Sequence, residues 1–134
     1  MPSTFNLSDY MANDLAKEVN NQVDSATLTI YDGGQPANAN TGLGGGNHSC
    51  AVFTLPAKAA NTVGATGVIT FGAIADTTWT LSTAPSFARI TSGGNVLFDC
   101  SVGTAGTDII INASPVVLGA VAHIVAGPTY TVTE

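Results

Sequence analysis

The chain has 134 residues and a formal net charge of −6, and its three cations are Lys17, Lys58 and Arg89. That is length for one domain with a core of its own, but too few cations for the clustered phosphate contacts of a nucleic-acid binder or for an anionic membrane surface. Charged residues make up 9% of the chain against 45% hydrophobic, where an ordinary soluble domain carries roughly 25% charged. The surface must therefore be finished with Thr, Ser, Asn, Gly and Ala, which desolvate cheaply against a partner.

Met1 to Leu7 reads as an arm able to lie against a neighbour, and Met1 to Ser8 lacks the basic and apolar regions of a signal peptide. No segment approaches the roughly 18 consecutive apolar residues of a membrane span. The expectation is a chain made and kept, or assembled, in a cytoplasm. Ser8 to Asn20 predicts the one helix: Leu7, Met11, Leu15, Val19 and Val23 recur every fourth residue, with Ala12 and Ala16 alongside. Ser8 suits the N-cap, Asp9 the positive end of the dipole, and Lys17 sits nearer the negative end.

From Ser25 onward the period changes to two, and residues 25–134 read as the β body of a single sandwich domain. Ala26 to Tyr31 alternates and ends at the Asp32–Gly33–Gly34 turn. A polar, glycine-rich loop then runs from Gln35 to Asn47. Further strands are expected at Cys50–Leu55, Gly67–Phe71, Thr77–Leu81, Phe87–Thr91, Asn95–Cys100, Asp108–Asn112, Ala120–Val125 and Thr129–Thr133. About eight to nine short strands parted by turn chemistry predict an all-β, antiparallel β-sandwich or jelly roll with one N-terminal amphipathic helix. Trp79 and Phe87 are the expected anchors between its sheets.

The residues that carry chemistry elsewhere fall into no working arrangement here. Gly42–Leu43–Gly44–Gly45–Gly46 lacks the Lys–Ser/Thr ending of a phosphate loop and is followed by a strand pattern, His48 to Phe53, so no helix N-terminus awaits a phosphate. His48 and Cys50 alternate on one strand, but no second ligand pair exists to complete a four-coordinate zinc. His123 lies in the apolar run Val121–Val125, outside any nucleophile motif. Asp99 and Asp108 flank the Gly103–Thr104–Ala105–Gly106 loop, where they are expected to accept backbone hydrogen bonds, a calcium site between them being the alternative. No catalytic, cofactor or metal residues are expected, and no enzyme. Cys50 and Cys100 read as buried thiols in a reducing compartment, with a disulfide formed after release as the alternative.

The tract Asp99 to Asn112, preceded by Arg89–Ile90, Ser92–Gly93–Gly94 and Val96–Leu97–Phe98, and the upstream Ile30–Tyr31–Asp32–Gly33 and Gln35–Pro36–Ala37 together resemble a family of small tailed-bacteriophage virion proteins. The likeness runs from Leu28 to Thr133; Cys100 and the long glycine loop before His48 depart from the family pattern. The resemblance implies a non-catalytic capsid decoration, or cement, protein on the capsid exterior, assembled in the bacterial cytoplasm. Its partners would be the major capsid protein and further copies of itself as a dimer or trimer, with neither nucleic acid nor membrane. A tail- or fibre-associated attachment component is the alternative. The expected contacts are Pro2, Thr4, Phe5 and Leu7 of the arm and Gln35, Pro36, Leu43 and Asn47 of the loop.

Overall fold

Ser8 opens the first element as expected. In a computed structural model describing residues 8–58, 60–63 and 68–131, its Oγ accepts the Met11 N–H at 3.2 Å at the start of helix α1, Asp9–Val23. The helix outruns the expected Asn20 by one turn, so Lys17 falls mid-helix and the last turn holds no basic residue. Ser25, in the left-handed conformation at φ +58°, then turns the chain into the β body, where its N–H donates to Pro56 O at 3.0 Å.

Eleven strands follow among the described residues: β1 Thr27–Asp32, β2 Ser49–Thr54, β3 Ala60–Val63, β4 Val68–Phe71, β5 Thr77–Thr78, β6 Pro85–Ser92, β7 Asn95–Gly103, β8 Ile109–Ile111, β9 Val121–Ala122, β10 Ile124–Ala126 and β11 Thr129–Thr131. The pattern missed β3, whose short Ala-Asn-Thr-Val run shows no period-two apolar signal. It also joined β9 to β10, which the structure breaks at His123.

A curled six-stranded sheet in the order β10-β8-β7-β6-β1-β2 forms the body, with a three-stranded sheet β11-β4-β3 and a β5-β9 ribbon. Its middle is the β6–β7 hairpin. Gly93 and Gly94 take φ +59° and +85°, and two successive positive values make the two-residue turn that matches strand twist. The expectation of a wholly antiparallel sheet is corrected at one place: β7 and β8 pair in parallel, Val102 with Ile109 and Gly103 with Ile110. The connection is short because Asp108 is drawn back to Ser101. The Ser101 N–H and Oγ–H donate to Asp108 Oδ2 at 3.0 and 3.1 Å, and the Asp108 N–H donates to Ser101 Oγ at 2.9 Å.

One core fills the concave side. Leu28, Ile30, Phe53, Ile90, Ile109 and Ile111 alternate inward from the large sheet and meet Trp79, Phe71 and Ile74. The helix closes this core against β3, β4 and β6. Its buried line is Ala12, Ala16 and Val23, with Val19 partly covered, whereas Met11 and Leu15 remain 45% and 44% exposed. Small alanines let the helix backbone approach the sheet closely, which turns the larger Met11–Leu15 flank of the expected stripe outward. Phe87 also departs from expectation. It is fully buried, yet it alternates with the inward Ala88 and Ile90 and so lies on the other face of the sheet, stacked on Tyr31 with ring centroids 5.3 Å apart.

Candidate interaction surface

The convex face of β1, β6 and β7 carries an unusual row for a sheet exterior. Thr29 pairs with Arg89 and Arg89 with Asp99; one step along, Tyr31 pairs with Phe87 and Phe87 with Ser101. Arg89 Nε donates to Asp99 Oδ1 at 2.8 Å and Nη2 to Oδ2 at 2.9 Å, and the two side chains are only 7% and 5% exposed. A buried guanidinium needs such a two-pronged partner, and the hydrogen bonds to Asp99 raise the Arg89 pKa above its ordinary value. The same Nη2 donates to Thr41 O at 2.9 Å. This bond ties the glycine-rich loop between β1 and β2 down onto the sheet.

Both ends of that loop are fastened as well. Asp32 Oδ1 accepts the His48 N–H at 2.7 Å and lies 3.0 Å from His48 Nδ1, while Oδ2 accepts the Thr83 Oγ1–H at 2.8 Å. The His48 backbone N–H is the largest cause holding the Asp32 carboxyl below its ordinary pKa, followed by the Thr83 hydroxyl. An ionised carboxylate only accepts, so His48 donates from Nδ1 and its Nε2 bears the lone pair when the ring is neutral. Asn47 stitches the loop to itself: Oδ1 accepts the Gly44 N–H at 3.0 Å, and Nδ2 donates to Asp32 O at 3.0 Å and Gly34 O at 3.1 Å. Ser86 Oγ donates to Gly33 O. Gly33 is obligatory here, since φ is +79° and a Cβ would stand 2.5 Å from Gly46 O. The loop is thus ordered by its own chain.

Of the expected contact residues, Pro2, Thr4, Phe5 and Leu7 lie outside the described residues. Gln35 and Leu43 are exposed on the loop and Pro36 is half-buried. Asn47 commits its side chain to the loop interior. Asp99 does not bond the backbone of its flanking loop as expected but pairs with Arg89, whereas Asp108 does accept from Ser101. Sequence reasoning missed the Arg89–Asp99–Thr41 tie, although both charges stand out in a chain with so few.

Elsewhere, His123 Nδ1 lies 2.6 Å from Asp76 Oδ1 at the mouth of a groove of about 490 Å³ lined by Phe71, Ile74, Ile124 and Gly127. Among the described residues no Ser, Thr or Cys side chain is hydrogen-bonded to either imidazole, and no group of three or more His, Cys, Asp or Glu could hold a metal. Cys50 and Cys100 are free and buried. They sit on β2 and β7, three strand steps or about 14 Å apart along the sheet, beyond the reach of a disulfide. Large aliphatics stand outward along the chain before β11: Val117, Leu118, Val121 and Val125 are 58–64% exposed. No family model, no curated protein and no solved structure matches the chain.

Proposed function

We propose that the protein is a non-catalytic structural component of a tailed-phage virion that decorates the outside of the assembled capsid, bridging major capsid protein subunits and associating with further copies of itself. The observation that carries the reading is the pre-ordered loop. Four of the residues that carry the resemblance to phage virion proteins, Asp32, Gly33, Arg89 and Asp99, help to fasten the 33–47 segment over the sheet. A loop already held in one conformation loses little entropy when it docks. The charge-poor surface, with Leu43, Val117, Leu118, Val121 and Val125 outward, favours broad packing. Binding to the assembled lattice and not to free subunits then stabilises the shell by mass action over many copies.

Cosedimentation with expanded capsids stripped of the protein tests this. Saturation at a fixed ratio to the major capsid protein is the expected result, and replacing Gln35, Pro36 and Leu43 together with Ser should weaken it. Saturation at a few copies per particle would move the protein to the tail as an attachment component. Absence of binding to the shell would likewise sink the decoration reading and favour the attachment component.

A further inference from the structure

Two strand pairs that belong to different small sheets share one register. β4 and β11 pair Thr70 with Thr129, and β5 and β9 pair Thr77 with Ala122. As many residues part Thr70 from Thr77 as part Ala122 from Thr129, so both stretches belong to one antiparallel ladder with a gap in it. Bonds on either side of the gap agree: the Phe71 N–H donates to Pro128 O at 3.4 Å, and the Trp79 N–H to Ala120 O at 3.0 Å. Asp76 and His123, opposite each other by the same count, meet at 2.6 Å and close the ribbon side of the gap. Between these ends, Ala73, Ile74 and Ala75 share no backbone hydrogen bond with any described residue. The groove of about 490 Å³ is this gap, with Gly72, Ala73 and Ile74 on one lip and Ile124 to Gly127 on the other.

The second lip already faces the first. His123 O accepts the Asn112 N–H at 3.2 Å from the end of β8. Successive residues of a strand turn their backbone groups to opposite sides, so the N–H and C=O of Ile124 turn away from β8 and toward Ala75. One side chain keeps the lips apart. Phe71 and Trp79 are both buried and lie an even number of residues apart, so strict alternation between them would turn Ala73 and Ala75 inward and Ile74 outward. Instead Ile74 is only 5% exposed, while Ala73 and Ala75 are exposed. The middle of the first lip is out of phase with both of its ends.

We propose that residues 72–75 form a strap poised to close this ladder, held open by Ile74 acting as a wedge. Closing sets Ala75 against Ile124 and Ala73 against Ala126, the positions that form hydrogen-bonded pairs in the phase of the two ends. It needs no change of register and leaves the Ile124 pairing with Ile111 of β8 in place, since that lies on the other side of the strand. It fills the groove and turns Ile74 out beside Val125, adding to the exposed aliphatics Val121 and Val125. The exchange sets one buried isoleucine against the backbone bonds of two alanines, terms of the same order. The strap thus decides whether this side of the molecule shows a groove or an apolar strip.

Amide exchange and NOE spectroscopy test it on the protein alone, without any capsid. In the wild type and in Ile74→Val, which keeps the wedge, the Ala73 and Ala75 amides should exchange as in an unstructured chain. Ile74→Thr removes the wedge. Both amides should then slow by about tenfold or more, and an Hα–Hα contact should appear between position 74 and Val125, which face each other closely in a closed ladder. Adding Ala75→Pro deletes the N–H that must reach Ile124 O and should restore fast exchange at Ala73. Amides that stay fast in Ile74→Thr, a missing Hα–Hα contact, or protection that survives Ala75→Pro would each overturn the proposal. So would amides already slow in the wild type. Should Ile74→Thr fail to fold, relaxation dispersion on the wild type decides: exchange shared by Ala73, Ala75 and Ile124 supports the strap, and flat profiles overturn it.

Discussion

Arg89 and Asp99 have left water together, so each depends on the other more than an exposed pair would. Truncating Asp99 to Ala strands a buried guanidinium and should cost about 3–5 kcal/mol in urea unfolding. Replacing both, as Arg89→Met with Asp99→Leu, should recover most of that stability. The double variant nevertheless lacks the donor to Thr41 O, so its loop amides should exchange faster with solvent while the strands stay protected. Asp32 makes the second prediction at this scale. Its folded pKa is depressed below the ordinary 3.8, so its contribution is present above that value and is lost as pH falls through the folded pKa. Amide exchange at Gly44 and Asn47, compared at matched intrinsic rates, should therefore stay slow at neutral pH and quicken only below about pH 4. Asp32→Asn should remove the transition.

At the scale of elements, the helix and the β6–β7 hairpin mark how far pattern reading reaches. The helix was legible from its four-residue spacing and its Ser8 cap. Which side of that stripe meets the sheet was not, because Ala12 and Ala16 and the longer Met11 and Leu15 are all apolar and only close approach separates them. Ala16→Leu should therefore destabilise by about 1–3 kcal/mol through overpacking, whereas Leu15→Ser should cost less than about 1 kcal/mol in the same denaturation experiment. The hairpin turn could be read from Ser92–Gly93–Gly94–Asn95. Counting back from it places Arg89 across from Phe98, but a register shift between Ile90 and Thr91 moves it onto Asp99. One bulged residue hid the ion pair. A bulge is set by twist and packing, which carry no local signature.

For the whole molecule, the two thiols report on the intact core. Burial pushes Cys50 up to about 11 and Cys100 up to about 12, with Asp32 raising the first further and Asp108 and Asp99 the second. Neither offers a thiolate at neutral pH, so an aromatic disulfide reagent should label neither cysteine in the folded protein and both once it unfolds, in a single phase. By itself the sequence determined the class, an all-β body behind one capped helix, because period, turn residues and caps act over a few neighbours. It also determined the charge-poor surface, which is a matter of composition. Only the tertiary structure decided that β8 pairs in parallel, that Phe87 lies outside the main core and that Cys50 is beyond the reach of Cys100. It alone placed Arg89 beneath Thr41. Each of these depends on which strands lie side by side and in what register, and strand pairing is a long-range choice made by the packing of the whole chain.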